Sequence, residues 1–168
     1  MVDGCHADTS THWNVCTDMP QSLSKIILHI VFSTKHREPV LGAHVRPALF
    51  AYLASVARKM QCECYRAGGV ADHVHIAVRM SRTVTVAQLV EVLKTSSSKW
   101  LKTQSPELAH FSWQRGYAAF SVYPSALNIL LRYIDNQEEH HRKRSYQEEY
   151  RRILKKIDVE YDERYVWD

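Results

Sequence analysis

At 168 residues the chain can bury one good hydrophobic core but not two. With 45% hydrophobic and 24% charged residues and few Gly or Pro, the composition excludes a disordered or fibrous protein. No apolar run approaches the roughly 18–20 residues that a membrane span needs, and a net charge of +4 permits a nucleic-acid partner without requiring one.

Residues 1–18 carry neither a basic start with an apolar stretch nor any periodicity, so they read as a disordered leader or upstream extension, with Met19 an alternative start. Residues 19–168 then form a single domain with a helical tail. "SKIILHIVFS" (24–33) is rich in β-branched residues and reads as a strand. "RPALFAYLASVARKM" (46–60) has apolar residues at helical spacing, with Pro47 suited to a first turn. "QCECYRAGG" and "HVHIAVRM" read as two strands, with Gly68, Gly69 and Asp72 marking the turn region.

A second helix covers 85–102, its apolar side carried by Val86, Leu89, Val90 and Leu93, and "GYAAFSVY" (116–123) is a fourth strand. Pro124 and Ser125 open a third helix whose stripe is Leu127, Leu130, Leu131 and Ile134. A last helix starts at Ser145, with Ser145 and Glu148 as a capping box. The order β-α-β-β-α-β-α, plus a C-terminal helix, predicts an α+β, ferredoxin-like split βαβ sandwich: an antiparallel sheet with helices on one face. Cys5 and Cys16 lie in the leader and Cys62 and Cys64 form a CxC pair, a weak zinc signal and more simply reduced cytoplasmic thiols.

"DHVHIAVRM" (72–80) raises the functional question. On a strand, residues i and i+2 share a face about 6.6 Å apart, so His73 and His75 can converge on one metal ion. A histidine-triad hydrolase would need a third alternating His at position 77, which is Ala77. Two imidazoles leave an ion under-coordinated. The third helix offers Tyr133 and Gln137, which are i and i+4 and share a helical face.

"DHVHIAV", "GYAAFSV" and "YIDNQEEHH", in this order, resemble the small single-tyrosine HUH transposases of the insertion sequence two-hundred (IS200-like) group. "LSKIILHIVFSTKHREPVL" resembles that family's first strand and loop, and the likeness spans about residues 19–155. The resemblance implies a transposase that cuts and rejoins single-stranded DNA at hairpin-marked element ends through a 5′-phosphotyrosine. It implies His73, His75 and Gln137 as metal ligands, Tyr133 as nucleophile, and a homodimer. A domesticated nuclease or nickase acting on palindromes is the alternative. A non-catalytic ferredoxin-like nucleic-acid module is another, and it should display exposed aromatics on its sheet.

The residues suit that chemistry. Tyrosine attack conserves one ester bond for rejoining, so no nucleotide cofactor is required. Two neutral imidazoles and an amide leave an ion's charge free to polarise a phosphate; imidazole suits Mn²⁺ better than Mg²⁺, and weak, exchangeable binding of either is expected. Asp135 and Asn136 are rival third ligands, but they turn roughly 200° and 300° from Tyr133 around a helix, against about 40° for Gln137. Among the other tyrosines, Tyr146 is the second candidate nucleophile. For DNA, Lys94, Ser97, Ser98 and Lys99 cluster on the second helix, Lys35 and Arg37 follow the first strand, and Arg142 and Lys143 begin the basic tail. No membrane association is expected, and the location is read as cytoplasmic.

Overall fold

The computed structural model describes residues 22–142, 146–156, 158 and 160–162. The expectations for residues 1–18, for Lys143 and for a cap at Ser145 lie outside them.

Strand β1 (Ile27–Ser33) is buried along its whole length, and its alternation divides two cores. Leu28, Ile30 and Phe32 face one way with Val74, Ile76 and Val78. Ile27, His29, Val31 and Ser33 face the other. Helix α1 (Arg46–Lys59) opens on Pro47 and buries Leu49, Leu53, Val56 and Ala57. Strands β2 (Glu63–Gly69) and β3 (His73–Arg79) form an antiparallel pair. Helix α2 (Val86–Leu101) starts with a reciprocal cap: Thr85 Oγ1 accepts from Gln88 N–H at 3.2 Å, while the Thr85 N–H donates to Gln88 Oε1 at 3.0 Å. Strand β4 (Ala118–Val122) completes the sheet.

The sheet order is β2-β3-β1-β4, every neighbouring pair antiparallel, which is the ferredoxin-like arrangement the element order predicts. Helices α1 and α2 cover one face over the larger core, where Phe111 and Phe32 each meet Trp113 edge-on at 4.8 Å. The opposite face carries the remaining helices, which corrects the expectation of helices on one face: the apolar stripes of two of them bury the second face of β1, β3 and β4. Helix α3 (Leu127–Asp135) sets Leu130 and Ile134 on Ala77, and α5 (Tyr146–Lys156) sets Tyr150 and Leu154 on Val31 and Ala118. Between them lies a short α4 (Gln137–His141).

Two further details differ from the sequence expectation. The third helix is broken at Asn136 (φ −96°, ψ 16°), so Tyr133 and Gln137 stand on successive helices. The turn before β3 is residues 70–72, closed by the Val70 N–H donating to His73 O at 3.1 Å, and both glycines belong to β2. Gly69 has φ +151°, and a Cβ there would lie 2.3 Å from His73 O, so this position excludes a side chain. A Cβ at Gly68 would lie 2.6 Å from Ile134 Cγ2 and 3.0 Å from Ile134 O; its absence lets α3 settle against the sheet.

Candidate active site

The β3 residues that alternate toward α3 are His73, His75 and Ala77, all almost fully buried. Ala77 is small enough for Leu130 and Ile134 to pack on it, which lowers α3 beside the two histidines. The His73 and His75 rings are 4.9 Å apart, centroid to centroid. Gln137 is buried, and its Oε1 stands 3.4 Å from His73 Nε2. Tyr133 is 5.5 Å from His75, ring to ring, and its hydroxyl is buried without a hydrogen-bond partner. The four residues therefore come together within one chain. The rivals turn away: Asp135 is half exposed and paired with Arg66 at 3.3 Å, and Asn136 is exposed.

Neighbours prepare these groups. Asp72 Oδ1 is 2.7 Å from His73 Nδ1. Burial works against the Asp72 carboxylate, but the His73 hydrogen bond and the surrounding imidazoles outweigh it and hold its pKa below the usual value. His73 Nδ1 accordingly donates to Asp72, so a neutral ring turns its Nε2 lone pair toward Gln137 Oε1, whereas a protonated ring donates to it. Two acceptors so placed repel unless a proton or a cation lies between them.

His75 Nδ1 is 2.9 Å from His29 Nε2, and His75 Nε2 is buried without a hydrogen-bond partner. Burial, and then the nearby imidazoles, push the His75 pKa well below 6.5, and burial lowers that of His29 to about 4. The imidazoles are thus held neutral, the form that ligates metal. Among the described residues no three His, Cys, Asp or Glu side chains make a metal site. The donor set here is instead two imidazoles and an amide, and its orphaned Nε2 and opposed lone pairs suit a weakly held divalent ion.

His29 and Asp72 carry no sequence signal of their own: His29 meets His75 only through strand register. His140, exposed, and His141 also lie at the site. The His140 ring is 5.5 Å from Tyr133 and the His141 ring 4.6 Å from His73. Next to Tyr133 opens a cleft of about 320 Å³, lined by His29, Phe120, Val122, Tyr123, Ile129 and Leu130 among others, a mostly apolar wall.

The expected DNA contacts divide. Ser97 corrects the expectation: it is fully buried, its hydroxyl donating to Leu93 O and accepting from Trp113 Nε1 at 2.9 Å, so it has no surface to offer a phosphate. Lys94 is half-buried, and its ammonium donates to the carbonyls of Gln114, Arg115 and Gly116, latching the approach to β4; burial lowers its pKa to about 8. Ser98 donates to Phe111 O at 3.3 Å, while Lys99 is exposed. With Lys102 and Arg115, missed in the sequence, these line an open groove of about 430 Å³.

Because α2 packs on the other face of the sheet, this groove is in a different layer from the histidines. Lys35 is exposed and lines a second groove of about 310 Å³ that shares Ser112 with the first. Arg37 lies against Gln147 of α5, and Arg142 is exposed and paired with Glu139 at 2.9 Å. Trp100 stacks on Tyr52 at 5.1 Å, a packing role.

A family model described as transposase, IS200-like, matches residues 22–137. Two solved structures share the fold. One, from Deinococcus radiodurans R1 and provisionally assigned as a transposase, is 22% identical with a TM-score of 0.55; the match covers 69% of this chain and 93% of that one. The other is a REP-associated tyrosine transposase bound to a REP hairpin, 11% identical with a TM-score of 0.53, the match covering 72% of each chain. No curated protein matches the chain. Among the described residues no helix is long and apolar enough to cross a membrane.

Proposed function

From the premise that the chain belongs to the IS200-like transposase family, we propose that it cleaves and rejoins single-stranded DNA at hairpin-marked ends through a 5′-phosphotyrosine on Tyr133. One observation carries this reading above the others: a tyrosine hydroxyl buried without a partner, its ring 5.5 Å from that of a neutral histidine whose own Nε2 is equally orphaned. Burying such groups costs about 1–3 kcal/mol each, a cost expected where substrate or an ion completes them.

Tyr133 Oη attacks phosphorus, the phosphotyrosine ester forms as the 3′-oxygen leaves, and the liberated 3′-hydroxyl can later reverse the step. His73 Nε2, His75 Nε2 and Gln137 Oε1 would hold Mn²⁺ or Mg²⁺, which supplies charge to polarise the phosphate. Asp72 keeps His73 in the Nδ1–H form. The phenol must give up its proton on attack; a neutral imidazole or a water in the cleft is a suitable acceptor. The apolar cleft beside Tyr133 suits an unpaired base next to the scissile phosphate. The exposed cations of the α2 groove (Lys99, Lys102, Arg115), with Ser98, and Lys35 suit the phosphates of a hairpin stem. Arg142, exposed at the end of α4, and Lys143, on its sequence alone, are further candidate phosphate contacts. Two copies act together, as the family resemblance implies, although in the single chain Tyr133 already lies beside its own histidines.

A palindrome-processing role without mobility uses the same residues. The likeness to a REP-associated transposase keeps it as the second reading, and rejoining activity separates the two. A non-catalytic module is disfavoured, because helices cover both faces of the sheet and leave no aromatic platform among the described residues. Incubation with Mn²⁺ and end-labelled hairpin strands tests the proposal. Wild type is expected to cut the single-stranded flank, and His73→Ala/His75→Ala is expected to lose at least a thousandfold in rate; cutting at the wild-type rate by that variant contradicts it.

A further inference from the structure

We infer that His29 is a positioning residue for the proposed metal site, its Nε2 accepting a hydrogen bond from His75 Nδ1 and so turning the His75 Nε2 lone pair outward as a ligand. The inference rests on reading His75 as a ligand and extends that reading to a residue on a different strand.

A neutral imidazole has one N–H and one lone pair, and only the lone pair binds a cation. His29 Nε2 and His75 Nδ1 are 2.9 Å apart, so one of them donates. If His29 donated, His75 would carry its proton on Nε2, toward the Gln137 amide, and would have no lone pair there for an ion. If His75 donates, Nδ1 is satisfied and Nε2 is available. Only the second arrangement makes a ligand, and it is the logic by which outer partners fix metal-bound histidines. Asp72 does the same for His73 at 2.7 Å, so each imidazole has its Nδ1 partner.

The pairing is set by backbone register. His29 stands opposite Ala77 and His75 opposite Val31, which makes the two histidines diagonal neighbours on one face of adjacent strands. Their rings lie within 21° of parallel, with centroids 5.1 Å apart, so they are aligned nitrogen to nitrogen. His29 is itself buried in an apolar strand, between Phe120 and Tyr133 as well as beside His75.

The test measures Mn²⁺ affinity of the full chain by the electron paramagnetic resonance of free Mn²⁺, together with thermal unfolding in EDTA. His29→Phe should weaken Mn²⁺ binding about 10–100-fold without lowering the unfolding midpoint in EDTA. His29→Gln, whose amide oxygen can accept from His75 Nδ1, should restore affinity to near the wild-type value. Wild-type affinity in His29→Phe would overturn the inference. So would a loss that His29→Gln fails to rescue, which would mark a packing role. His75→Ala separates the two levels: if it leaves Mn²⁺ affinity unchanged, the ligand reading itself falls, whereas a loss in His75→Ala with none in His29→Phe removes only the role of His29.

Discussion

His29 and His75 are imidazoles that the fold keeps uncharged, and this has a measurable cost in acid. Burial lowers the His29 pKa from 6.5 to about 4. Because the folded value lies below the unfolded one, acidification protonates the unfolded chain first. The stability linked to His29 is complete above pH 6.5 and is lost as pH falls from there through about 4, amounting to about 3 kcal/mol. His75 shifts in the same direction. Urea unfolding in EDTA should show wild type losing more stability between pH 7.5 and 4.5 than His29→Phe does; identical losses would contradict the assignment. Tyr133 and Gln137 were legible as a pair because their spacing is a helical one. Asp72 and His29 were not: residue 72 reads first as a turn former, and His29 meets a partner 46 positions away that only strand register brings near.

At the scale of elements, the site depends on how closely α3 approaches the sheet, and Gly68 sets that distance. Gly68→Ala should displace α3 by a few tenths of an ångström and cost about 1–3 kcal/mol. Cleavage should slow by about 10–100-fold, since misplacing a reacting group is more costly than the strain itself. Cleavage at the wild-type rate in a folded variant would show that the α3 position is not limiting. Lys94 latches the segment before β4 through three carbonyls. Lys94→Met should cost about 1.5–3 kcal/mol in unfolding experiments, a loss a merely phosphate-binding lysine would not show. The sequence marked Lys94 and Ser97 as phosphate contacts on a helix; which of them faces carbonyls or a Trp depends on the 112–116 loop, which has no periodicity to read. The break at Asn136 was also invisible, because Asp-Asn-Gln continues a helical pattern.

Across the whole molecule, strand alternation and helical stripes were enough to give element order and hence the ferredoxin-like sheet, because burial on two faces imposes a period on each element. What they could not give was the division of labour between the faces: histidines and tyrosine under α3, basic groove beyond α2. On the proposed function, that separation should leave hairpin affinity and metal binding independent. Replacing Lys99 and Lys102 by Ala should weaken hairpin binding and reduce its salt dependence by about one unit of log–log slope per contact, with Mn²⁺ affinity unchanged. A change in metal affinity would mean the two layers are coupled.

The central claim of the proposed function is that the Tyr133 phenol, beside His73 and His75, is the nucleophile. Incubating the full chain with Mn²⁺ and a hairpin strand, then resolving denatured products by mass, tests it directly. Wild type should yield a DNA adduct on the peptide containing Tyr133, and Tyr133→Phe should yield none while still binding Mn²⁺ and hairpin. An adduct of equal yield in Tyr133→Phe, or one mapped to Tyr146, would place the nucleophile elsewhere and contradict the account.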